Sequence, residues 1–111
     1  EENLVDALWS ERAEPAMAPL REIPEEWSGS TPAEKIAEVR SELAKAKVDA
    51  LVALKLDQIA WLLDLRSTSD VPYNPVFESF VWLDAEELHL FLRAPERRLP
   101  ADYRSRVKGL C

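Results

Sequence analysis

Behind Thr31-Pro32-Ala33-Glu34, the apolar residues Ile36, Val39, Leu43 and Ala46 recur at helical spacing. Charged Glu34, Lys35, Glu38, Arg40, Glu42, Lys45 and Lys47 fill the other face. Thr31 suits an N-cap, Pro32 the first helical position and Glu34 the far half of a capping box. This pattern predicts an amphipathic helix from about 32 to 47. Leu51 to Leu54 follows as a short apolar run, which suits a strand covered on both faces. Asp57 is the expected cap of a second helix, Gln58 to Leu65, burying Ile59, Trp61, Leu62 and, at its end, Leu65. Ile36, Val39 and Leu43 against Leu51 to Leu54, with Trp61 and Leu62 nearby, form the expected hydrophobic centre.

Ser67 to Pro75 is polar and rich in turn formers. Val76 to Leu83 carries β-branched and aromatic residues and predicts a second strand. Asp84-Ala85-Glu86 reads as a turn, and Glu87 to Arg93 as a strand returning antiparallel to the previous one. Pro95 and Pro100 bracket a loop, and Ala101 to Leu110 reads as a last helix with Gly109 as its stop signal. Before Thr31 the pattern is irregular. Asn3 to Trp9 suits a short helix, while Pro15, Pro19 and Pro24 prevent longer elements. Residues 1–30 therefore read as a linker anchored by Trp9, Ile23 and Trp27, and residues 31–111 as an α/β layered domain.

Length and charge narrow the function classes. The 111 residues suit one domain or most of one. A formal net charge of −7 disfavours nucleic acid and anionic membrane surfaces. No apolar run approaches a membrane span, no secretory signal is visible, and the first residue is Glu1 rather than methionine. The chain thus reads as a piece of a longer cytoplasmic protein, and the lone Cys111 fits a reducing compartment.

Candidate chemistry is sparse. His89, the one histidine, sits in Leu-His-Leu-Phe-Leu and reads as an ordinary strand side chain. No His-x-x-x-His or Cys-x-x-Cys spacing offers a metal site, and Cys111 has no sequence-adjacent base. Two glycines cannot build a phosphate-cradling loop. The paired acids Glu1-Glu2, Glu25-Glu26 and Glu86-Glu87 read as solvated. No catalytic, metal or cofactor residue is therefore assigned. The loop Asp70-Val71-Pro72-Tyr73-Asn74-Pro75 remains. Two prolines stiffen it, so Asp70, Tyr73 and Asn74 read either as caps of a rigid connector or as groups presented to substrate or another domain.

Three stretches carry a resemblance: Asn3-Leu4-Val5-Asp6-Ala7-Leu8-Trp9, Glu34-Lys35-Ile36 with Arg40, and Asp57-Gln58-Ile59-Ala60-Trp61-Leu62-Leu63 with Leu65-Arg66 and Asp70 through Phe77. Together they resemble the creatinase-type N-terminal or middle domain of the aminopeptidase P (Xaa-Pro aminopeptidase) family. Asp64 stands where that family usually has Asn, and Ser67-Thr68-Ser69 replaces Gly-Ser. The resemblance implies a mixed sheet flanked by helices, truncated at Leu110-Cys111 where further strands are expected. It implies a parent metallopeptidase that removes the residue before proline. That parent's catalytic domain would hold two divalent ions, usually manganese, on two Asp, one His and two Glu. The expected partners are the catalytic and first N-terminal domains of the parent. The truncated sheet also suggests a homo-oligomer. A second reading is a non-catalytic protein-interaction module, because histone-chaperone large subunits resemble creatinase in that role.

Overall fold

Thr31 starts the longest helix as its chemistry dictates. Its hydroxyl accepts the Glu34 N–H at 3.3 Å, and the Glu34 carboxylate accepts the Thr31 N–H at 2.8 Å. This reciprocal pair satisfies donors that a helix start leaves open, and Pro32 has no N–H to satisfy. In the structure, a computed structural model, the described residues are Val5, Leu8, Trp9, Glu11, Ala13, 17–107 and 109–111. The helix expected over Asn3 to Trp9 lies mostly outside them.

The elements run β1 (Arg21–Glu22), α1 (Glu25–Ser28), α2 (Pro32–Ala46), β2 (Ala50–Ala53), α3 (Leu56–Leu63), β3 (Leu65–Arg66), β4 (Ser79–Asp84), β5 (Leu88–Leu92), α4 (Pro95–Arg98) and α5 (Tyr103–Arg106). β4 is the central strand of a sheet ordered β2–β4–β5, antiparallel throughout. The hairpin expected from the two aromatic runs is present, with Trp82 opposite His89 and Phe80 opposite Phe91. Beyond β5 the chain end adds a parallel bridge, Leu88 to Leu110. The sheet is therefore mixed and flanked by helices, the α/β class expected. A separate two-stranded ribbon pairs Arg21 with Arg66 and Glu22 with Leu65. Beside it Leu20 enters the core.

Period-two alternation divides the main sheet into two unlike faces. Val81, Leu83 and Leu88 are buried, facing Ile59, Leu62, Leu63, Phe77, Tyr103 and Val107. Helix α3 covers this face through β4 and also packs on α2. The other face presents Val52, Phe80 and Phe91 to solvent, with Trp82 half-buried. Phe80 and Phe91 stack with ring centroids 4.7 Å apart.

Several expectations are corrected. First, β2 lies at the sheet edge rather than being covered on both faces, and Leu51, Val52 and Leu54 are exposed. The core accordingly lies further toward Phe77, Leu88 and Tyr103 than expected, with Leu43 only half-buried. Second, Lys55 occupies the N-cap position of α3, and Asp57 sits inside the first turn, where its charge meets the positive end of the helix. Third, the described residues of Ala101 to Leu110 do not form the one helix expected. Among the described residues, one helical turn, Tyr103–Arg106, buries Tyr103, and a further turn, closed by the Leu110 N–H on the Val107 carbonyl, brings Leu110 beside β5. Pro95, read as a loop boundary, starts the short α4 because its fixed φ suits a first helical position.

Fourth, Trp61 is 48% exposed. It lies on the outer side of α3 while Ile59, Ala60, Leu62 and Leu63 turn inward. The Lys35 ammonium sits 5.1 Å from its ring centroid. Trp61→Ala is therefore expected to cost about 1 kcal/mol, the range of a cation–π contact plus partial burial. Phe77→Ala, at 0% exposure, is expected to cost about 3–5 kcal/mol. Urea melts of the two variants measure the contrast, and equal losses would place Trp61 in the core after all. Trp27 is 73% exposed, so it does not anchor the N-terminal stretch as expected, and Trp9 is more than half exposed. Ile23 is half-buried.

Candidate functional site

The loop after β3 is held at its base by one carboxylate. The Ser67 hydroxyl donates to Asp70 and accepts the N–H groups of Ser69 at 3.2 Å and Asp70 at 3.4 Å. The other Asp70 oxygen accepts the Glu78 N–H at 3.1 Å. Arg98 completes the site with an ion pair to Asp70, both side chains being almost wholly buried. The same guanidinium donates from Nε to the Ala18 carbonyl, and the Arg98 carbonyl accepts the Leu20 N–H at 2.7 Å. Asp70 and Arg98 thus tie three distant segments together: residues 18–20, the loop and α4.

Burial pushes the Asp70 carboxyl up. Arg98, Ser67 and the Glu78 N–H outweigh it and hold the group below the usual carboxylate range. Asp70 therefore acts from inside, as the anchor of the loop.

The tip behaves differently. Asn74 donates its N–H to the Val71 carbonyl at 3.3 Å, closing a four-residue turn. Pro72 holds the second position, and Tyr73 holds the third with φ at +63°. That is the backbone of a type II turn, where glycine or asparagine is the ordinary occupant. A bulky side chain there stores strain. The Tyr73 ring is fully exposed, and Asn74 is exposed beside it. The structure therefore separates the three residues singled out in the sequence. Tyr73 and Asn74 are displayed together, while Asp70 is the support beneath them.

An open cleft of about 610 Å³ runs between the loop and the β4–β5 hairpin. Asp70, Pro72, Glu78, Phe80, Phe91 and Arg93 are among its lining residues; Tyr73 and Asn74 stand outside it. Sequence reading missed Arg98 and Ser67. Ser67 belongs to the Ser67-Thr68-Ser69 departure, whose first hydroxyl now organises the loop. Arg98 offered no local signal, because its partner lies 28 residues away.

A second buried ion pair lies across the α2–α3 contact. Lys35 pairs with Asp64, with side chains 1% and 5% exposed. Lys35 also donates to the Trp61 carbonyl at 3.0 Å, and the Ser28 hydroxyl donates to Asp64 at 3.2 Å. Asp64 ends α3 with φ at +50°. Nearby, the Tyr103 hydroxyl donates to the Leu63 carbonyl. Burial pushes the Tyr103 pKa well above its ordinary value.

Among the described residues, the two Asp, one His and two Glu implied for a dinuclear centre are not brought together. Among the described residues, the single trio of ligating atoms within 4.8 Å of one another is Glu87, His89 and Cys111, which lacks the two Asp and second Glu.

Comparison with known proteins agrees with this geometry. Residues 11–109 match the family described as the creatinase/prolidase N-terminal domain. A probable Xaa-Pro aminopeptidase P from Aspergillus fumigatus is 42% identical over 92 residues, 82% of this chain and 14% of the relative. One from Coprinopsis cinerea is 43% identical over 91 residues, again 14% of its length. A crystal structure of X-prolyl aminopeptidase from Caenorhabditis elegans, described as a cytosolic enzyme with a di-nuclear active site, superposes with a TM-score of 0.86 at 31% identity. It matches 98% of this chain and 18% of its own. The chain therefore spans about a seventh of the curated relatives it matches, and it belongs to the creatinase/prolidase N-terminal domain family.

Proposed function

We propose that this chain is a non-catalytic domain of a cytosolic Xaa-Pro aminopeptidase, where it shapes the approach to an active site carried elsewhere in the polypeptide. In the whole enzyme, two divalent ions, manganese by resemblance, supply the hydrolytic chemistry. This domain binds none of that pair. Its own contribution is positional. Asp70 and Arg98 lock the base of the loop, and the locked base holds Tyr73 and Asn74 outward toward the catalytic domain.

The observation that carries this reading is Tyr73, fully exposed at φ +63° on a hydrogen-bonded turn. Strain of that kind persists where the surrounding structure enforces it, and it clusters at functional positions. The outer sheet face supports the same reading. Val52, Phe80 and Phe91 form an apolar surface. The matched relatives are far longer than this chain, so the remaining polypeptide of the enzyme is its occupant. No helix among the described residues is long and apolar enough to cross a membrane.

The test uses the full-length enzyme. Tyr73→Ala with Asn74→Ala is expected to lower kcat/KM about tenfold, roughly 1.4 kcal/mol of transition-state stabilisation, with the isolated domain's melt unchanged. Unchanged kinetics would reduce the loop to a connector. A parallel loss of stability would assign it a capping role instead. In the same enzyme Phe91→Asp is expected to be clearly destabilising, whereas in the isolated chain it removes only the stack on Phe80, less than about 1 kcal/mol. Equal effects in both would leave the face bare. Loss of self-association as the only effect would make a second copy the occupant.

A further inference from the structure

We infer that Glu87, His89 and Cys111 form a zinc-class metal site on the outer face of the sheet. Strand register brings the three together. Leu88 and Leu110 pair in parallel and are both buried. Side chains alternate along strands, so their successors His89 and Cys111 emerge side by side on the opposite face. Glu87, two residues before His89, leaves on that face too. The Glu87 carboxylate already lies 2.9 Å from His89 Nε2. All three ligand atoms fall within 4.8 Å of one another.

The backbone under the thiol is fixed. The Cys111 N–H donates to the Leu88 carbonyl at 2.8 Å, and the Cys111 carbonyl accepts the Leu90 N–H at 3.1 Å. Cys111 is therefore clamped to β5 on both sides of its α-carbon. The His89 ring is packed as well, with its centroid 5.2 Å from that of Trp82. Around a tetrahedral zinc ion, neighbouring donor atoms stand about 3.3–3.8 Å apart, given zinc bonds of about 2.0–2.3 Å. To reach that range the Glu87–His89 contact at 2.9 Å opens slightly, and any spacing toward the 4.8 Å limit closes.

The donor chemistry selects the ion. One thiolate, one imidazole and one carboxylate suit zinc and leave a fourth position for water. Magnesium and calcium require oxygen donors throughout. Manganese favours carboxylate, carbonyl and water over sulfur. The ion expected here therefore differs in class from the manganese pair proposed for the parent enzyme. Without metal, the trio is a Glu87–His89 hydrogen bond beside a free thiol.

Cobalt(II) serves as the spectroscopic probe and zinc as its competitor, on the full chain kept reduced. The expected result is one cobalt per monomer with a thiolate-to-cobalt charge-transfer band, erased by equimolar zinc and unaffected by excess magnesium. Cys111→Ser is expected to abolish the band. His89→Gln is expected to weaken zinc binding more than about 100-fold, beyond the loss that follows when a residue merely orients a ligand. All three side chains are at least partly exposed, so these variants keep the fold, which circular dichroism verifies. A missing band, or zinc affinity unchanged in Cys111→Ser, would overturn the site. One metal shared between two chains, seen as a mass doubling on cobalt addition, would overturn it as well.

Discussion

Arg98→Ala is expected to destabilise the domain by about 3–5 kcal/mol, the range for removing one partner of a buried ion pair. The loss exceeds that of a surface bridge because Asp70 keeps its charge, loses its counter-ion and stays buried. The variant also releases the Ala18 carbonyl from Nε, loosening residues 18–20 beside the loop. Arg98→Lys keeps the charge but not the planar fork, so an intermediate loss is expected.

Acid titration adds a second signature. The folded Asp70 pKa lies below its ordinary 3.8, so the pair's contribution is fully present above that value. It disappears as pH falls through the lower, folded pKa. Arg98→Ala removes this contribution and should flatten the acid limb of stability below pH 4. Urea melts across that range measure both effects. A loss under about 1 kcal/mol at neutral pH would show the pair to be dispensable.

Asp64→Ala is expected to lose a similar amount, about 3–5 kcal/mol, by stranding Lys35 at 1% exposure with the Trp61 carbonyl as its remaining acceptor. Asp64→Asn should lose much less. Its amide oxygen still accepts from Lys35, and asparagine tolerates the left-handed backbone at φ +50°. Adding Lys35→Met to Asp64→Asn should then recover stability, because no charge is left to desolvate. Thermal melts of the three variants decide the matter. If the Asn variant falls as far as the Ala variant, the charge of Asp64 is what matters, rather than its hydrogen bonds.

Elements defined by local chemistry were legible in the sequence. Thr31 and Glu34 are three residues apart, so their capping box was readable before any fold was known. The β4–β5 hairpin was readable for the same reason, with alternation on both sides of a short turn. Periodicity failed where apolar residues crowd together. In Ile59-Ala60-Trp61-Leu62-Leu63 every position is apolar, so spacing alone does not say which one turns outward; packing on β4 decided against Trp61. The run Leu51 to Leu54 misled in a related way. It signals apolar faces, not whether each face has a cover within the same chain.

The candidate loop was found by its prolines, but its division of labour was not. Asp70 was separable from Tyr73 and Asn74 only once Arg98 was placed beside it, and contacts of that sequence distance leave no local trace. The Glu87–His89–Cys111 trio was hidden likewise, because a parallel register joins residues 22 apart.

Gly109 decides where this sheet can grow. At φ +79°, an added β-carbon there would lie 2.6 Å from the Glu86 carbonyl oxygen. The missing side chain lets this last segment slide under the hairpin turn and claim the outward amide and carbonyl of Leu88 and the amide of Leu90. Half of the β5 border is therefore already closed. On the described residues, an incoming strand finds a vacant border along β2, whose single partner is β4. Sheet extension in this domain is directional, and a single absent methyl group sets the direction.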